Sequence, residues 1–188
     1  AEYQAVVFCG GATRPRDLPT DGRLIDGVVQ AMHFLPQQNR RVAGDSESDI
    51  TAPVLATGKH VIVIGGGDTG SDCIGTSVRQ GAASVVNFEL LPMPGLQRSA
   101  EQPWPYWPMK LRTTTSHEEA GNRREFAILT KSFESEQGRL KALHTVNVEM
   151  QRDAVSNALS LKEIEGTEQT WPCDLAILAL GFLGPETD

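Results

Sequence analysis

Cysteine is scarce in this sequence, and the few cysteines lie far apart. Cys9, Cys73 and Cys173 form no Cys-x-x-Cys pair, and none has a histidine at metal-ligand spacing. Zinc sites, iron–sulfur clusters and redox-active disulfides need closely spaced ligands, so we expect no metal site and no active disulfide in this chain. Reduced thiols are typical of cytosolic proteins, which predicts a cytoplasmic location.

An excess of positive charge is also missing. The chain has 17 Lys and Arg against 24 Asp and Glu, for a net charge of −7 at pH 7, and its basic residues are scattered. Such a charge distribution disfavours binding to nucleic acid or to an anionic membrane. The longest apolar run, residues 175–184, is far below the roughly 20 residues that cross a bilayer. We therefore expect a soluble protein with neither nucleic acid nor membrane as a partner.

The 188 residues are enough for one domain but not for two large ones. Residues 6–9 are continuously apolar and are followed by Gly10 and Gly11, a pattern that predicts a strand buried on both faces. A second such run, residues 174–180, stands near the other end. Because the chain starts without Met on one strand-like run and stops just after another, we expect it to be a piece of a longer protein.

The centre of the sequence predicts a βαβ unit. Residues 60–64 are a β-branched run that leads into a glycine-rich turn at residues 65–70, and a helical segment then continues to about Gln80, where Gly81 stops it. Residues 84–89 form a second short apolar strand. Strand, glycine turn, helix and strand within about 30 residues are typical of a parallel sheet covered by helices.

The flanking segments complete an α/β fold, namely a Rossmann-like, three-layer parallel sheet with an antiparallel β-meander. Before the βαβ unit we expect a helix over residues 27–39 that Pro36 kinks or ends, and a polar linker or mobile loop over residues 40–58. After it follow an irregular proline- and aromatic-rich stretch over residues 90–112 and a short helix with a Ser-x-x-Glu capping box at Ser116. Strand-like runs at residues 126–133, 140–150 and 158–163, with a hairpin at Gly138, precede a return strand at residues 174–180. As one domain of residues 1–188, the chain divides into a crossover strand, helix and linker (1–58), a βαβ core (59–89), a Pro/aromatic loop (90–123), a meander (124–173) and a return strand (174–188).

The glycine turn carries the chemistry. In Gly65-x-Gly67-x-x-Gly70, the first glycine allows the tight turn, the second lets the backbone approach a diphosphate, and the third lets the helix pack closely on the strand. The N–H groups of the first helical turn then receive the diphosphate. The candidate cofactor-binding residues here are Gly65, Gly66, Gly67, Asp68, Thr69 and Gly70. The alternative is that the glycines only make a tight turn. FAD uses the same fingerprint, so these six residues do not by themselves distinguish FAD from a nicotinamide coenzyme.

Glu89, at the end of the next strand, is the candidate ribose ligand. A carboxylate there accepts hydrogen bonds from a ribose 2′-hydroxyl but repels a 2′-phosphate by roughly 1–4 kcal/mol at about 4 Å. This favours NADH over NADPH. The alternative is that Glu89 faces solvent and that Arg98 or the Arg123-Arg124 pair holds a phosphate.

Several segments together resemble one enzyme family, the small (beta) subunit of glutamate synthase, a flavoprotein with two dinucleotide-binding domains. They are residues 10–19, 61–73 and 179–186, with Pro-Trp-Pro-Tyr-Trp-Pro at 103–108 and Leu-Lys-Ala-Leu-His-Thr-Val at 140–146. The resemblance implies that this chain is the nicotinamide domain inserted into the FAD domain, with Gly-Ala-Thr (11–13) and Ala-Leu-Gly-Phe (179–182) at the two crossings. It adds Gly11, Ala179 and Gly181 as candidate cofactor contacts. Family members that use NADPH carry paired arginines where this chain has Glu89-Leu90-Leu91-Pro92, which again favours NADH.

The same resemblance implies the activity and the partners. NAD(P)H would give hydride to FAD, and electrons would pass through iron–sulfur centres to the large subunit, where glutamine and 2-oxoglutarate become two glutamates. FAD and the iron–sulfur centres would lie on parts of the parent protein outside these residues, so we assign no catalytic residue and expect the isolated chain to be inactive. The alternatives are the nucleotide domain of another NAD(P)H–flavin electron-transfer oxidoreductase, or a non-catalytic nucleotide-binding module. A thioredoxin-reductase-like enzyme is disfavoured because Cys-x-x-Cys is missing.

Overall fold

A computed structural model describes residues 2–46, 50, 52–100, 102–106, 108–152 and 159–186. In chain order its elements are β1 (Arg14–Pro15), β2 (Val28–Gln30), α1 (Ala31–Ala43), β3 (His60–Ile64), α2 (Asp68–Arg79), β4 (Ser84–Glu89), α3 (Thr115–Glu119), β5 (Arg124–Phe126), β6 (Ile128–Glu136), β7 (Arg139–Arg152), β8 (Leu159–Glu163), β9 (Gln169–Pro172), β10 (Leu175–Leu178) and β11 (Phe182–Gly184). In the described part of the chain, none of these helices has the length and apolar character that a membrane span requires.

A five-stranded parallel sheet forms the middle layer, in the order β2-β10-β3-β4-β5. Its central strands are buried along almost their whole length: Val61 to Ile64 in β3 and all of β10. Continuous burial of this kind explains why both segments are uninterrupted apolar runs in the sequence, because residues on both faces of the strand pack against another layer. The predicted βαβ unit and the predicted return strand are confirmed.

Two further layers cover the faces of this sheet. On one face, Phe34 of α1 and Ile74 of α2 pack against Val61 and Val63. On the other, Ile62, Ile64 and Phe88 pack against a cluster contributed by the antiparallel strands, which includes Ile128, Phe133 and Leu143. Alternating residues of β3 therefore serve two separate hydrophobic cores. The result is the three-layer α/β architecture expected from the sequence.

The antiparallel layer is the meander. Strand β7 pairs with β6, with β8 and with β9. The β6–β7 hairpin turns through Gln137 and Gly138, whose φ angles are 54° and 82°, as a two-residue hairpin turn with positive φ at both positions requires. The hairpin predicted at Gly138 is confirmed.

The N-terminal strand prediction is wrong. Residues 6–9 have no regular structure, and Val6, Val7 and Phe8 expose 71%, 82% and 93% of their surface. A buried strand needs neighbours on both edges and both faces, and the described residues offer none to this segment. The chain instead becomes ordered at β1, which pairs antiparallel with β11. The two-stranded ribbon thus stands at the carboxyl ends of the two segments, residues 11–13 and 179–182, that the resemblance places at the domain crossings.

The first helix also differs from the prediction. Helix α1 begins at Ala31, not at Gly27, because Val28–Gln30 is engaged as a strand in the parallel ladder with β10. Pro36 does not end the helix, which continues to Ala43 and is capped by Gly44 with φ 89°. A proline in that position removes only one backbone donor, and burial of the neighbouring Phe34 keeps the helix docked.

The predicted polar linker is partly helix and partly anchored chain. Its first residues belong to α1, and residues 47–49 and 51 lie outside the described part of the chain. Ile50 and Ala56 are buried, and the backbone N–H groups of Val54 and Ala56 donate to Gln37 Oε1 (2.9 Å) and Gln80 Oε1 (2.8 Å). Val54 and Ala56 are therefore held against α1 and α2.

Two boundaries near the proline-rich stretch change as well. Helix α3 has its capping box at Thr114 and His117, not at Ser116 and Glu119. Strand β5 joins the parallel sheet beside β4, so the meander starts at Ile128 rather than at residue 124. The capping box of α3 and the start of the meander are both ambiguous in the sequence. Where the meander starts is decided by sheet pairing, because β4 would have an open edge without β5.

Candidate functional site

The glycine turn between β3 and α2 contains two glycines that are required for packing. A Cβ on Gly65 would lie 2.2 Å from the carbonyl oxygen of Ala179, and Gly65 has a φ of 117°. A Cβ on Gly70 would lie 2.3 Å from the carbonyl oxygen of Gly65. Neither position has room for a side chain, so the first and third glycines let strand, turn and helix approach one another.

The middle glycine has a different environment. Gly67 is the N-cap of α2, has an extended backbone with φ −80°, and has no heavy atom within 4 Å of the point where a Cβ would stand. The first N–H groups of any helix lack intrahelical acceptors and carry the positive end of its dipole. Open space beside these donors is what an anionic group such as a diphosphate needs in order to bind.

A cavity of about 300 Å³ opens beside this turn. It lies between the turn, the carboxyl ends of β4 and β5, and the proline-rich loop of residues 90–114. Its polar lining consists of Gly66, Gly67, Asp68, Asn87, Glu89, Lys110, Arg112 and Arg124, and its apolar lining of Leu91, Pro92, Pro94, Pro108, Met109, Leu111 and Phe126. A cavity lined by apolar side chains together with a few polar groups is typical of sites that bind small organic ligands.

The register of β4 and β5 explains how distant residues meet in this cavity. Asn87 pairs with Arg124 and Glu89 pairs with Phe126 in the parallel ladder. Residues two apart on a strand share a face, so both pairs point to the same side of the sheet. Of these four side chains, sequence reasoning named Glu89 and, as part of an arginine pair, Arg124. It missed Asn87 and Phe126, which the two-residue spacing from Glu89 and Arg124 could have revealed.

Glu89 lies directly against the glycine turn. Its Oε2 atom is 2.2 Å from the point that a Cβ on Gly66 would occupy, and its Oε1 atom accepts a long hydrogen bond from the N–H of Leu91 (3.4 Å). The carboxylate therefore forms the wall of the cavity next to the proposed diphosphate position. It does not face only solvent, which was the alternative interpretation.

Asn87 is buried, with 2% of its surface exposed. Its amide nitrogen donates to the carbonyl oxygens of Val63 (3.0 Å) and Gly65 (2.9 Å). The backbone N–H of Gly65 in turn donates to the carbonyl oxygen of Phe88 (2.8 Å). Strand β4 thus holds the first residue of the glycine turn through both its N–H and its C=O group.

Arginines fix the proline-rich loop over the cavity. Arg124 donates from Nη1 to the carbonyl oxygen of Arg112 and from Nη2 to Thr113 Oγ1, both at 2.7 Å, and burial lowers the pKa of Arg124 from its usual value. Arg98 donates from Nη1 to the carbonyl oxygens of Gln102 and Tyr106, both at 2.9 Å. Of the arginines considered as alternative phosphate ligands, Arg124 lines the cavity and is already engaged with the loop.

A second polar chain links the loop to the first turn of α2. Ser71 Oγ lies 2.6 Å from Thr114 Oγ1, which lies 2.8 Å from Nδ1 of His117. The backbone N–H of Thr114 also donates to that Nδ1 atom (3.2 Å). His117 is buried, and its pKa is lowered by desolvation and, to a smaller extent, by Arg124. The neutral ring therefore joins the end of the loop to the glycine-turn helix.

The remaining sequence-predicted contacts do not line this cavity. Thr69, Ala179 and Gly181 border a separate small cleft of about 10 Å³ at the carboxyl end of β10. Gly11 is exposed and has no heavy atom within 4 Å of a built Cβ. The structure therefore brings Gly66, Gly67, Asp68 and Glu89 together in the cavity lining. Gly65 and Gly70 pack against Ala179 next to the turn, whereas Gly11 and Gly181 do not line the cavity.

All three cysteines are free thiols, and Cys9 is exposed. Cys73 and Cys173 are buried free thiols, and burial raises the pKa of each to about 12. Cys73 on α2 packs in the hydrophobic core as a small apolar residue. Among the described residues, no group of three or more His, Cys, Asp or Glu side chains is arranged to hold a metal ion.

The class of protein is now defined. The fold matches that of FprA, a Mycobacterium tuberculosis oxidoreductase solved with NADP⁺, with a TM-score of 0.62 at 14% identity over 98% of this chain and 51% of that one. A glycine turn between a parallel strand and a helix, beside an acidic residue on the next strand, is the arrangement of dinucleotide-binding domains. The structure thus has the α/β fold of that oxidoreductase.

The sequence comparisons name the particular proteins. The chain is 48% identical to the NADH glutamate synthase of Schizosaccharomyces pombe over 98% of its length, and 44% identical to the NADPH glutamate synthase small chain of Mycobacterium tuberculosis over 99%. It spans 9% of the first relative and 37% of the second. No family model matches the chain. The resemblance recognised in the sequence is confirmed: the chain is homologous to a part of glutamate synthase, an oxidoreductase.

Proposed function

We propose that this chain is the nicotinamide-nucleotide domain of a glutamate synthase and that it binds NADH at the glycine turn. The observation that carries this proposal is the open space at Gly67, beside the first N–H groups of α2 and at the edge of a cavity of about 300 Å³. A diphosphate fits there because no side chain competes for the donors.

Each part of the nucleotide has residues of suitable chemistry in the cavity. The diphosphate would lie at Gly66, Gly67 and the start of α2, and the adenosine ribose would lie against Glu89. The apolar wall formed by Pro92, Pro108, Met109, Leu111 and Phe126 would hold the adenine ring. These residues bind and orient the nucleotide, and the proline-rich loop excludes water from its adenosine half.

NADH is preferred over NADPH in this proposal because Glu89 lies at the turn itself. A 2′-phosphate there would face the carboxylate at close range, a repulsion of roughly 1–4 kcal/mol per charge pair. Of Arg98, Arg123 and Arg124, the alternative phosphate ligands, only Arg124 lines the cavity, and its Nη1 and Nη2 atoms donate to the carbonyl oxygen of Arg112 and to Thr113 Oγ1. The curated relatives include proteins named for either coenzyme, so a direct titration is needed.

The remaining parts of the proposed function concern the parent protein. The β1–β11 ribbon and the exposed residues 6–8 would face the FAD domain of the same chain, near Gly11, Ala179 and Gly181. The bound coenzyme supplies a hydride for FAD, and the large subunit would use the electrons to make glutamate from glutamine and 2-oxoglutarate. The isolated chain would bind nucleotide without catalysing the reaction.

A titration of the 188-residue chain with NADH and with NADPH tests the proposal. We expect NADH to bind about tenfold more tightly than NADPH, and Glu89→Gln to reduce this ratio toward one by removing the carboxylate charge. Glu149→Gln, an exposed substitution in the meander, is the matched control and should leave the ratio unchanged.

Three results would each contradict a part of the proposal. If neither coenzyme binds at millimolar concentration, the assigned site is wrong. If NADPH binds more tightly and Glu89→Gln has no effect, the preference assigned to Glu89 is wrong. Turnover of NADH with an artificial electron acceptor by the flavin-free chain would contradict the expected inactivity.

A further inference from the structure

Asn87 is a polar side chain in a strand segment that is otherwise apolar, Val85 to Phe88, all of it buried. A buried amide costs free energy unless its donors and acceptors are paired. Both of its donor bonds go to one place, the carbonyl oxygens of Val63 and Gly65 at 3.0 and 2.9 Å. The side chain therefore bridges the last part of β3 and the first residue of the glycine turn.

The bond to Gly65 fixes more than one atom. The carbonyl of residue 65 and the N–H of residue 66 belong to one planar peptide, so the direction of the first determines the direction of the second. The same carbonyl oxygen lies 2.3 Å from the Cβ position of Gly70, so it also sets how closely α2 approaches the turn. Since glycine-rich segments have many backbone conformations, a fixed peptide here has to be imposed from outside the turn.

We propose that Asn87 is a positioning residue that presets the glycine turn for the diphosphate of the bound dinucleotide. This inference rests on the proposed function, because it assigns Asn87 to the same site. Asn87 acts through the backbone of Gly65 and Gly66, and its effect is to lower the conformational cost of binding. Its loss should weaken ligands that contain the diphosphate and leave ligands without phosphate unaffected.

The test compares ADP-ribose with adenosine as ligands of the 188-residue chain. For Asn87→Ala, and for Asn87→Ser, whose shorter side chain cannot reach both carbonyls, we expect ADP-ribose affinity to fall about tenfold and adenosine affinity to change less than twofold. Thr145→Val is the matched control, because Thr145 is also buried and polar and accepts a bond from Trp171 Nε1 (2.9 Å), but lies in the meander. It should change neither affinity.

A measurement on the parent chain covers the case in which the substitutions prevent folding. The side-chain amide protons of Asn87 should be protected from exchange with solvent in the NMR spectrum, and their resonances should shift when ADP-ribose binds but not when adenosine binds.

The outcomes separate this inference from the proposed function. If the parent binds neither ADP-ribose nor NADH, the proposed function fails. If the parent binds ADP-ribose and the Asn87 variants bind it equally well, Asn87 does not preset the turn although the proposed function stands. Equal losses for ADP-ribose and adenosine, or rapid exchange of the amide protons in the parent, would also overturn the inference.

Discussion

The carbonyl oxygen of Gly65 lies 2.3 Å from the point that a Cβ on Gly70 would occupy. Non-bonded heavy atoms in a folded protein do not come this close to each other. Helix α2 therefore approaches strand β3 this closely only because residue 70 has no side chain. The third glycine of the turn is therefore a packing requirement, which is distinct from the diphosphate-binding role proposed for Gly67, and the two roles can be measured separately.

Gly70→Ala should destabilise the protein. The added methyl group would push α2 away from the backbone of the turn, and overpacking of this kind costs about 1–3 kcal/mol. Urea unfolding of the parent and the variant measures the difference in the free energy of unfolding. An unchanged midpoint would show that α2 can shift without cost, contrary to the geometry.

Gly67→Ala should weaken nucleotide binding and leave the stability of the fold nearly unchanged. With φ −80° and open space around the Cβ position, alanine fits the free protein. Because alanine is a poorer N-cap than glycine, we expect the free energy of unfolding to fall by about 1 kcal/mol or less. The methyl group would, however, occupy the space assigned to the diphosphate. We expect NADH affinity to fall at least tenfold in a fluorescence titration, and unaltered affinity would place the diphosphate elsewhere.

His117 should make the protein less stable at acidic pH. Its folded-state pKa is lowered by desolvation and then by Arg124, so protonation occurs more readily in the unfolded chain, where the pKa is about 6.5. The stabilising contribution of the neutral ring is present above that value and is lost as pH falls through the lowered folded-state pKa. For one titrating group, the free energy of unfolding cannot change by more than about 1.4 kcal/mol per pH unit.

Urea unfolding between pH 5 and pH 8 measures this dependence, with His117→Gln as the comparison. The variant lacks the titrating ring, so its free energy of unfolding should vary less across the acidic part of the range than that of the parent. Because the other three histidines are common to both proteins, the difference between the two curves belongs to His117. Parallel curves would contradict the assignment.

Local sequence predicted those parts of the fold that depend on neighbouring residues. The apolar run at His60–Ile64, the glycine turn and the amphipathic helix ending near Gln80 are all found as predicted. Continuous apolar runs such as β3 and β10 are buried on both faces, which is typical of strands in the interior of a parallel sheet. The candidate residues Gly66, Gly67, Asp68 and Glu89 come together for the same reason, since the turn and the end of β4 meet at one sheet edge.

Predictions that needed a distant partner were less reliable. Residues 6–9 have the composition of a buried strand, yet a strand forms only where another strand supplies its hydrogen bonds. Val28 has helical spacing with Met32 and Leu35, but it lies in a strand because it pairs with β10 in the parallel ladder. The short helix near residue 116 takes its cap from Thr114 and His117, and only the contact of Thr114 with Ser71 shows why it begins there.

The sequence by itself determined that this chain carries a dinucleotide-type glycine turn in a parallel sheet, and that it is similar to part of glutamate synthase. These features depend on contiguous residues whose backbone preferences and apolar periodicity are local. Tertiary structure alone decided that Asn87 holds the turn, that Arg124 ties down the proline-rich loop and that Gly11 lies apart from the cavity. Those relationships depend on which strands pair and in which register, and pairing energies arise between residues far apart in the chain.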